Sequence, residues 1–314
     1  FPMNMKKALP LIAIAALLPA ACGKPAPVAQ VEVNPPLVQL PFSQVQTVHL
    51  TWTPSGSIGD EKPTVFVHLL GSKQKVERTF DHPFPQRWRE GAPVGYDLKL
   101  YQSAMAQPLP PGKYQVTLGL YGKGGKRWPL SGLGDAVGRD EYNAFQVQVP
   151  NADSRPRFVF SPNWMDVEPG GDRQVLARRW LVDRGAIRLV DQHAAGTVWM
   201  VVQIPPASLP DYRVVLDEGA SAPSVMIRGN CGCPDTSITG SGLHEVELNL
   251  DAPAPDDFCH LLLSASFSLE PLNPTGKRRS ASLENIAWEP GGKKAPEQPA
   301  GTGAATTATP TSPQ

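Results

Sequence analysis

Proline recurs along the whole chain, 35 times in 314 residues, and together with 28 glycines it interrupts the sequence at short intervals. A proline inside a helix removes a backbone hydrogen bond and clashes with the preceding turn. This density argues against a bundle of long helices, so the ordered segments have to be short. They are apolar enough to build cores, since 41% of residues are hydrophobic, and the length suits about two domains. Basic and acidic residues balance at 29 each, and no basic run stands out. No nucleic-acid partner is expected of such a chain, because phosphate binding needs a cluster of cations.

Between the breakers the pattern is that of strands. Residues 45–52 (VQTVHLTW) place Val48, Leu50 and Trp52 on one face, and residues 113–121 (KYQVTLGLY) do the same with Tyr114, Val116, Leu118 and Leu120. Residues 64–70, 76–80 and 142–149 read as further strands, with 71–73 and 122–126 (GKGGK) as turns. Strands at such spacing with Gly and Pro turns predict an antiparallel β-sandwich over 36–150. Residues 152–156 read as a linker. A second strand-rich unit follows over 155–289, with strands at 197–204 (TVWMVVQI), 211–216, 224–227, 245–250 (EVELNL), 260–267 and 281–288. The nearly continuous apolar run at 197–204 suits a central strand, and Trp52 and Trp199, inside apolar strands, are expected in cores.

The two ends differ from this. Lys6 and Lys7 precede an apolar stretch, 8–18 (ALPLIAIAALL), that ends in small residues before Cys22. This is the form of a secretory signal and is too short to span a bilayer. The first residues, Phe1 and Pro2, read as a scar ahead of Met3 or Met5. Residues 18–22 (LPAAC) resemble the lipobox of bacterial lipoproteins, although Pro19 stands where that family usually has Leu. The resemblance implies cleavage after residue 21 and acylation of Cys22, with the acyl chains holding the protein on a membrane. Gly23 after the cysteine, by the same resemblance to Gram-negative lipoproteins, implies the outer membrane. The expected location is its periplasmic side or the cell surface. Residues 23–35 read as an extended tether. Residues 290–314, poor in large apolar groups, read as a disordered tail.

A second resemblance rests on residues 65–130. Phe66-Val67-His68-Leu69, Asp81 with Pro83, Trp88 with Gly91, Asp97, 110–114 (PPGKY) and Gly119-Leu120-Tyr121 are similar to a β-sandwich module of bacterial membrane glycosyltransferases. Trp164, Glu168, Arg179-Trp180, and the stretch from Phe267 through Pro271 and Pro274 to Leu283 and Ile286 resemble its jelly-roll-like partner module. The resemblance implies architecture and a setting in glycan handling, and it suggests a pairing of Glu168 with Arg179. The expected fold is all-β: two antiparallel β-sandwich domains in tandem, immunoglobulin-like or jelly-roll-like, with flexible tethers at both ends.

Chemistry-bearing residues are few. Apart from Cys22 the cysteines are Cys231, Cys233 and Cys259. An exported chain favours a disulfide, and a bridge within 231–233 would be strained, so Cys259 is expected to pair with Cys231 or Cys233. A closed loop of about 25 residues would contribute roughly 3 kcal/mol. The spacing fits no standard zinc site, and neither metal nor cofactor is expected. His68 and the pair Asp81-His82 lie where strand and return segment could meet, as an acid–base group or as the hydrogen-bonded frame of a proline-bounded turn. Asp166, Glu168 and Asp256-Asp257 are the carboxylates that would serve a hydrolase. No Gly-x-Ser-x-Gly, phosphate loop or His-Glu-x-x-His is present, and the chain is expected not to be an enzyme. Trp88, Trp128 and Trp164, near turns, are the candidates for stacking on a sugar, against the alternative that they plug the sandwich ends. The expectation is a lipid-anchored, non-catalytic envelope protein that binds or scaffolds a polysaccharide or a glycan-handling partner. The alternatives are an assembly lipoprotein that contacts only envelope proteins, and a cryptic hydrolase.

Overall fold

In a computed structural model of the protein, residues 25–151, 155–170 and 176–291 are described. They form β-strands joined by turns, with two single 3-10 turns at Ser72–Gln74 and Lys123–Gly125. The signal segment, Cys22, residues 152–154 of the linker and residues 292–314 of the tail lie outside the described residues. No helix among the described residues is long and apolar enough to cross a membrane.

The first domain is a sandwich. One sheet runs Leu130–Ser131, Ala29–Asn34, Val45–Pro54, Val94–Tyr101. The facing sheet runs Ala136–Gly138, Glu141–Val149, Gly112–Tyr121, Thr64–Leu70, Val76–Thr79. Alternation determines the core: Val48, Leu50 and Trp52 from one sheet meet Val65, Val67, Leu69, Val116, Leu118 and Leu120 from the other, all buried. Each such side chain contributes about 1.5–3 kcal/mol by leaving water.

The second domain pairs two five-stranded sheets. One runs Arg157–Phe160, Arg184–Val190, Cys259–Ala265, Ser224–Gly229, Thr236–Thr239. The other runs Glu168–Pro169, Ala177–Trp180, Ser282–Pro290, Gly196–Ile204, Gly242–Leu250. A further three-stranded sheet runs Ser208–Leu209, Tyr212–Leu216, Phe267–Pro271. Gly196–Ile204 is central, as its apolar run predicts, and Val198, Met200 and Val202 face this core.

Two expectations are corrected. The segment read as a tether holds the first strand, Ala29–Asn34, which pairs with Val45–Pro54 from end to end because Ala29 and Val31 have core places to fill. The strand expected over 260–267 is two, Cys259–Ala265 and Phe267–Pro271. The chain changes sheet at Ser266, whose N–H donates to the Ser224 carbonyl and whose carbonyl accepts from Asp217.

Candidate functional site: the cleft between the domains

The domains meet through the segment that follows Val94–Tyr101. The Ala104 N–H donates to the Ile286 carbonyl (2.8 Å), and the Trp288 N–H donates to the Ser43 carbonyl (2.8 Å). Met105 enters the second domain's core. Gln102 holds this segment from within the first domain: its amide donates to the Leu40 carbonyl (2.8 Å) and accepts the Leu109 N–H (2.8 Å). On the outer face of the second domain's sheet, Trp199 and Val201 pack with Val45, Ala287 and Tyr101 in a small apolar cluster of their own. The Tyr101 and Trp199 rings lie 4.5 Å apart, and the Phe80 ring meets Tyr101 edge-on at 5.4 Å. Lys99 forms an ion pair with Glu247 across the junction and sits 5.9 Å from the Trp199 ring centre.

Beside this contact a cleft of about 490 Å³ stays open. The first domain contributes Phe80, Asp81, His82 and members of Val94–Tyr101, among them Tyr96, Asp97 and Lys99. The second contributes Trp199, Val201, Asn285, Leu243, Glu245 and Glu247. Four carboxylates thus face one ammonium. The His82 Nδ1–H donates to the Phe80 carbonyl (2.8 Å), so Nε2 accepts the Tyr96 hydroxyl (2.7 Å). Burial pushes the His82 pKa down, against smaller opposing effects of the Phe80 carbonyl and Asp81, and burial raises that of Tyr96. At neutral pH the pair is therefore uncharged, and the cleft is net acidic.

Of the residues singled out from the sequence, Asp81, His82 and Asp97 reach this cleft, as does Trp199, expected in a core. Asp81 also accepts the Val67 N–H (3.0 Å), a frame for its turn, and lies 3.6 Å from His68. Trp128 and Trp164 are both 5% exposed, so their faces are committed to the two cores and not offered to a sugar. Trp88 is half-buried, packs against Phe84 and the first core, and donates to the Gly56 carbonyl (2.9 Å). Glu168 does not pair with Arg179. It accepts the Trp180 indole N–H (3.0 Å) and lies 3.9 Å from Arg279, while Arg179 donates to the Met165 carbonyl. Asp166 and Asp256-Asp257 are exposed and away from the cleft. Cys259 is bonded to Cys231, and Cys233 is a buried free thiol. Among the described residues no group of three or more His, Cys, Asp or Glu is placed to hold a metal ion.

No protein-family model and no curated protein matches the chain. Among solved structures it is similar to the native alpha-2-macroglobulin of E. coli (13% identity, TM-score 0.21), over 85% of this chain and 14% of that one. It is also similar to a Salmonella alpha-2-macroglobulin mutant (13%, TM-score 0.21, 89% and 16%) and to the Salmonella protein reacted with methylamine (14%, TM-score 0.22, 85% and 15%). The chain thus spans only a small part of the length of these proteins.

Sequence reasoning missed most of the cleft. Tyr96, Tyr101, Lys99, Leu243 and Glu245 come from strands far apart in the chain. The one local signal was the alternation of 245–250 (EVELNL), which puts Glu245 and Glu247 together on the outer face of their strand.

Proposed function

We propose that this chain is a lipid-anchored, non-catalytic protein of the bacterial envelope that acts by binding, with the cleft between its sandwiches as the seat. The cleft carries the reading: it is concave, built by both domains, walled by aromatic rings, and supplied with carboxylates that accept hydrogen bonds from hydroxyl or ammonium groups. Its ligand is a glycan or a glycan-handling protein, the classes favoured by the resemblance of residues 65–130. The burial of Trp128 and Trp164 favours the protein, since neither indole presents a flat face to solvent. Anchoring is supported by residues 18–22, whose resemblance to a lipobox implies acylation at Cys22. Only residues 23–28 separate Cys22 from the first strand, roughly 20 Å at full extension, so the first domain would ride close to the membrane.

The test uses the full-length protein in native membranes with a photo-crosslinking residue at Leu243, which is 61% exposed at the cleft. A defined protein or polysaccharide adduct, lost on Glu245→Gln, is expected. Crosslinking indistinguishable from that of an exposed site remote from the cleft, such as Leu272, would refute the reading. Mass spectrometry of the mature N-terminus checks the anchor independently: an unmodified Cys22 thiol would remove it.

A further inference from the structure

The strand Gly242–Leu250 ends its sheet. It pairs along its whole length with Gly196–Ile204, and among the described residues no strand pairs with its other side. A terminal strand presents unpaired backbone N–H and C=O groups, which proteins usually blunt with proline, charged side chains (above all lysine), bulges or short length, and here the only such charges are Glu245 and Glu247. This edge is nine residues long, has neither proline nor lysine, and keeps unbroken register with its neighbour. Its odd-numbered side chains Leu243, Glu245 and Glu247 face the cleft, on the same side as Val201 and Trp199. Asp81 and Asp97 stand on the opposite wall.

We infer that this edge is a strand-addition site for an extended, proline-free segment of a partner protein carrying Lys or Arg at alternate positions. The inference rests on the reading of the cleft as the binding seat and names its partner's chemistry. An added strand gains main-chain hydrogen bonds, and its alternate side chains carry specificity. Those side chains repeat every second residue, the spacing of Leu243, Glu245 and Glu247, so a cation meets Glu245, whose neighbour Glu247 already holds Lys99, and an apolar group meets Leu243. A second copy of this chain does not fit, because antiparallel self-pairing about Val246 sets Glu245 against Glu247, acid opposite acid.

The test titrates the detergent-solubilised full-length protein with a synthetic peptide alternating Lys and Val. Its controls are the same peptide with Glu replacing Lys, and the Lys peptide N-methylated at alternate backbone amides. The Lys peptide is expected to bind and to slow amide exchange along Gly242–Leu250. Both controls should bind at least about tenfold more weakly, and Glu245→Lys should reduce the preference for Lys over Glu by about tenfold. Equal binding by the N-methylated peptide, or protection confined to other strands, overturns strand addition. Equal binding by the Glu peptide overturns the basic partner. If no peptide binds while the Leu243 crosslink still forms in native membranes, the strand-addition inference falls and the cleft keeps its role. If both fail, the underlying reading falls too.

Discussion

His82 donates from Nδ1 to the Phe80 carbonyl and accepts the Tyr96 hydroxyl at Nε2, an arrangement suited to the neutral ring. Burial lowers its pKa, whereas in the unfolded chain the ring takes a proton near the ordinary value of about 6.5. Between that value and the lowered folded one, the unfolded state binds more protons, so stability declines as pH falls through this window and gains nothing further above it. Denaturant titrations near pH 7 and near pH 5 should show this decline, and His82→Gln should flatten it; an unchanged slope in the variant would refute the assignment. At Gly196 an added Cβ would overlap the Trp288 ring, so Gly196→Ala should cost about 1–3 kcal/mol in the same titrations. Such facts were only partly legible. Trp52 read as core because its strand alternates around it. Trp128 and Trp164 sit beside turns, where nothing local tells an inward ring from an outward one.

The Cys231–Cys259 bond staples the turn after Ser224–Gly229 to the start of Cys259–Ala265, neighbouring strands of one sheet. It closes a separation of 28 residues. Cys259→Ala should therefore lower stability by about 3–4 kcal/mol, measured as a shift in denaturation midpoint against the oxidised protein. Cys233 packs inside the same domain, and burial followed by Asp235 raises its thiol pKa. Maleimide should leave it untouched at neutral pH until denaturant opens the domain; rapid labelling of the native protein would contradict its placement. Strands such as Thr64–Leu70 were legible because period and flanking turns agree. Ala29–Asn34 was not, since it is short, lies beside prolines and is a strand only by virtue of its partner Val45–Pro54. The choice between Cys231 and Cys233 also needed the sheet, which sets which sulfur faces Cys259.

Across the molecule, the two sandwiches are tied by Tyr101 against Trp199, by Met105 in the second core, and by hydrogen bonds at Ser43 and Ala104. Trp199→Ala should cost about 3–5 kcal/mol, as for a buried tryptophan elsewhere, yet the loss lies at the junction. Calorimetry should resolve one transition in the native protein and two in the variant; a single transition in both would mean that other contacts couple the domains. The chain's local pattern was enough to determine an all-β fold with two sandwiches, because strand period, proline and glycine act over a few residues. It also marked the lipobox-like run as the place to test for an anchor. The cleft, its acidic lining and its open edge were decided only in three dimensions. They depend on which sheet face and which terminal strand meet across the junction, and those contacts join residues more than a hundred positions apart, as Lys99 and Glu247 do.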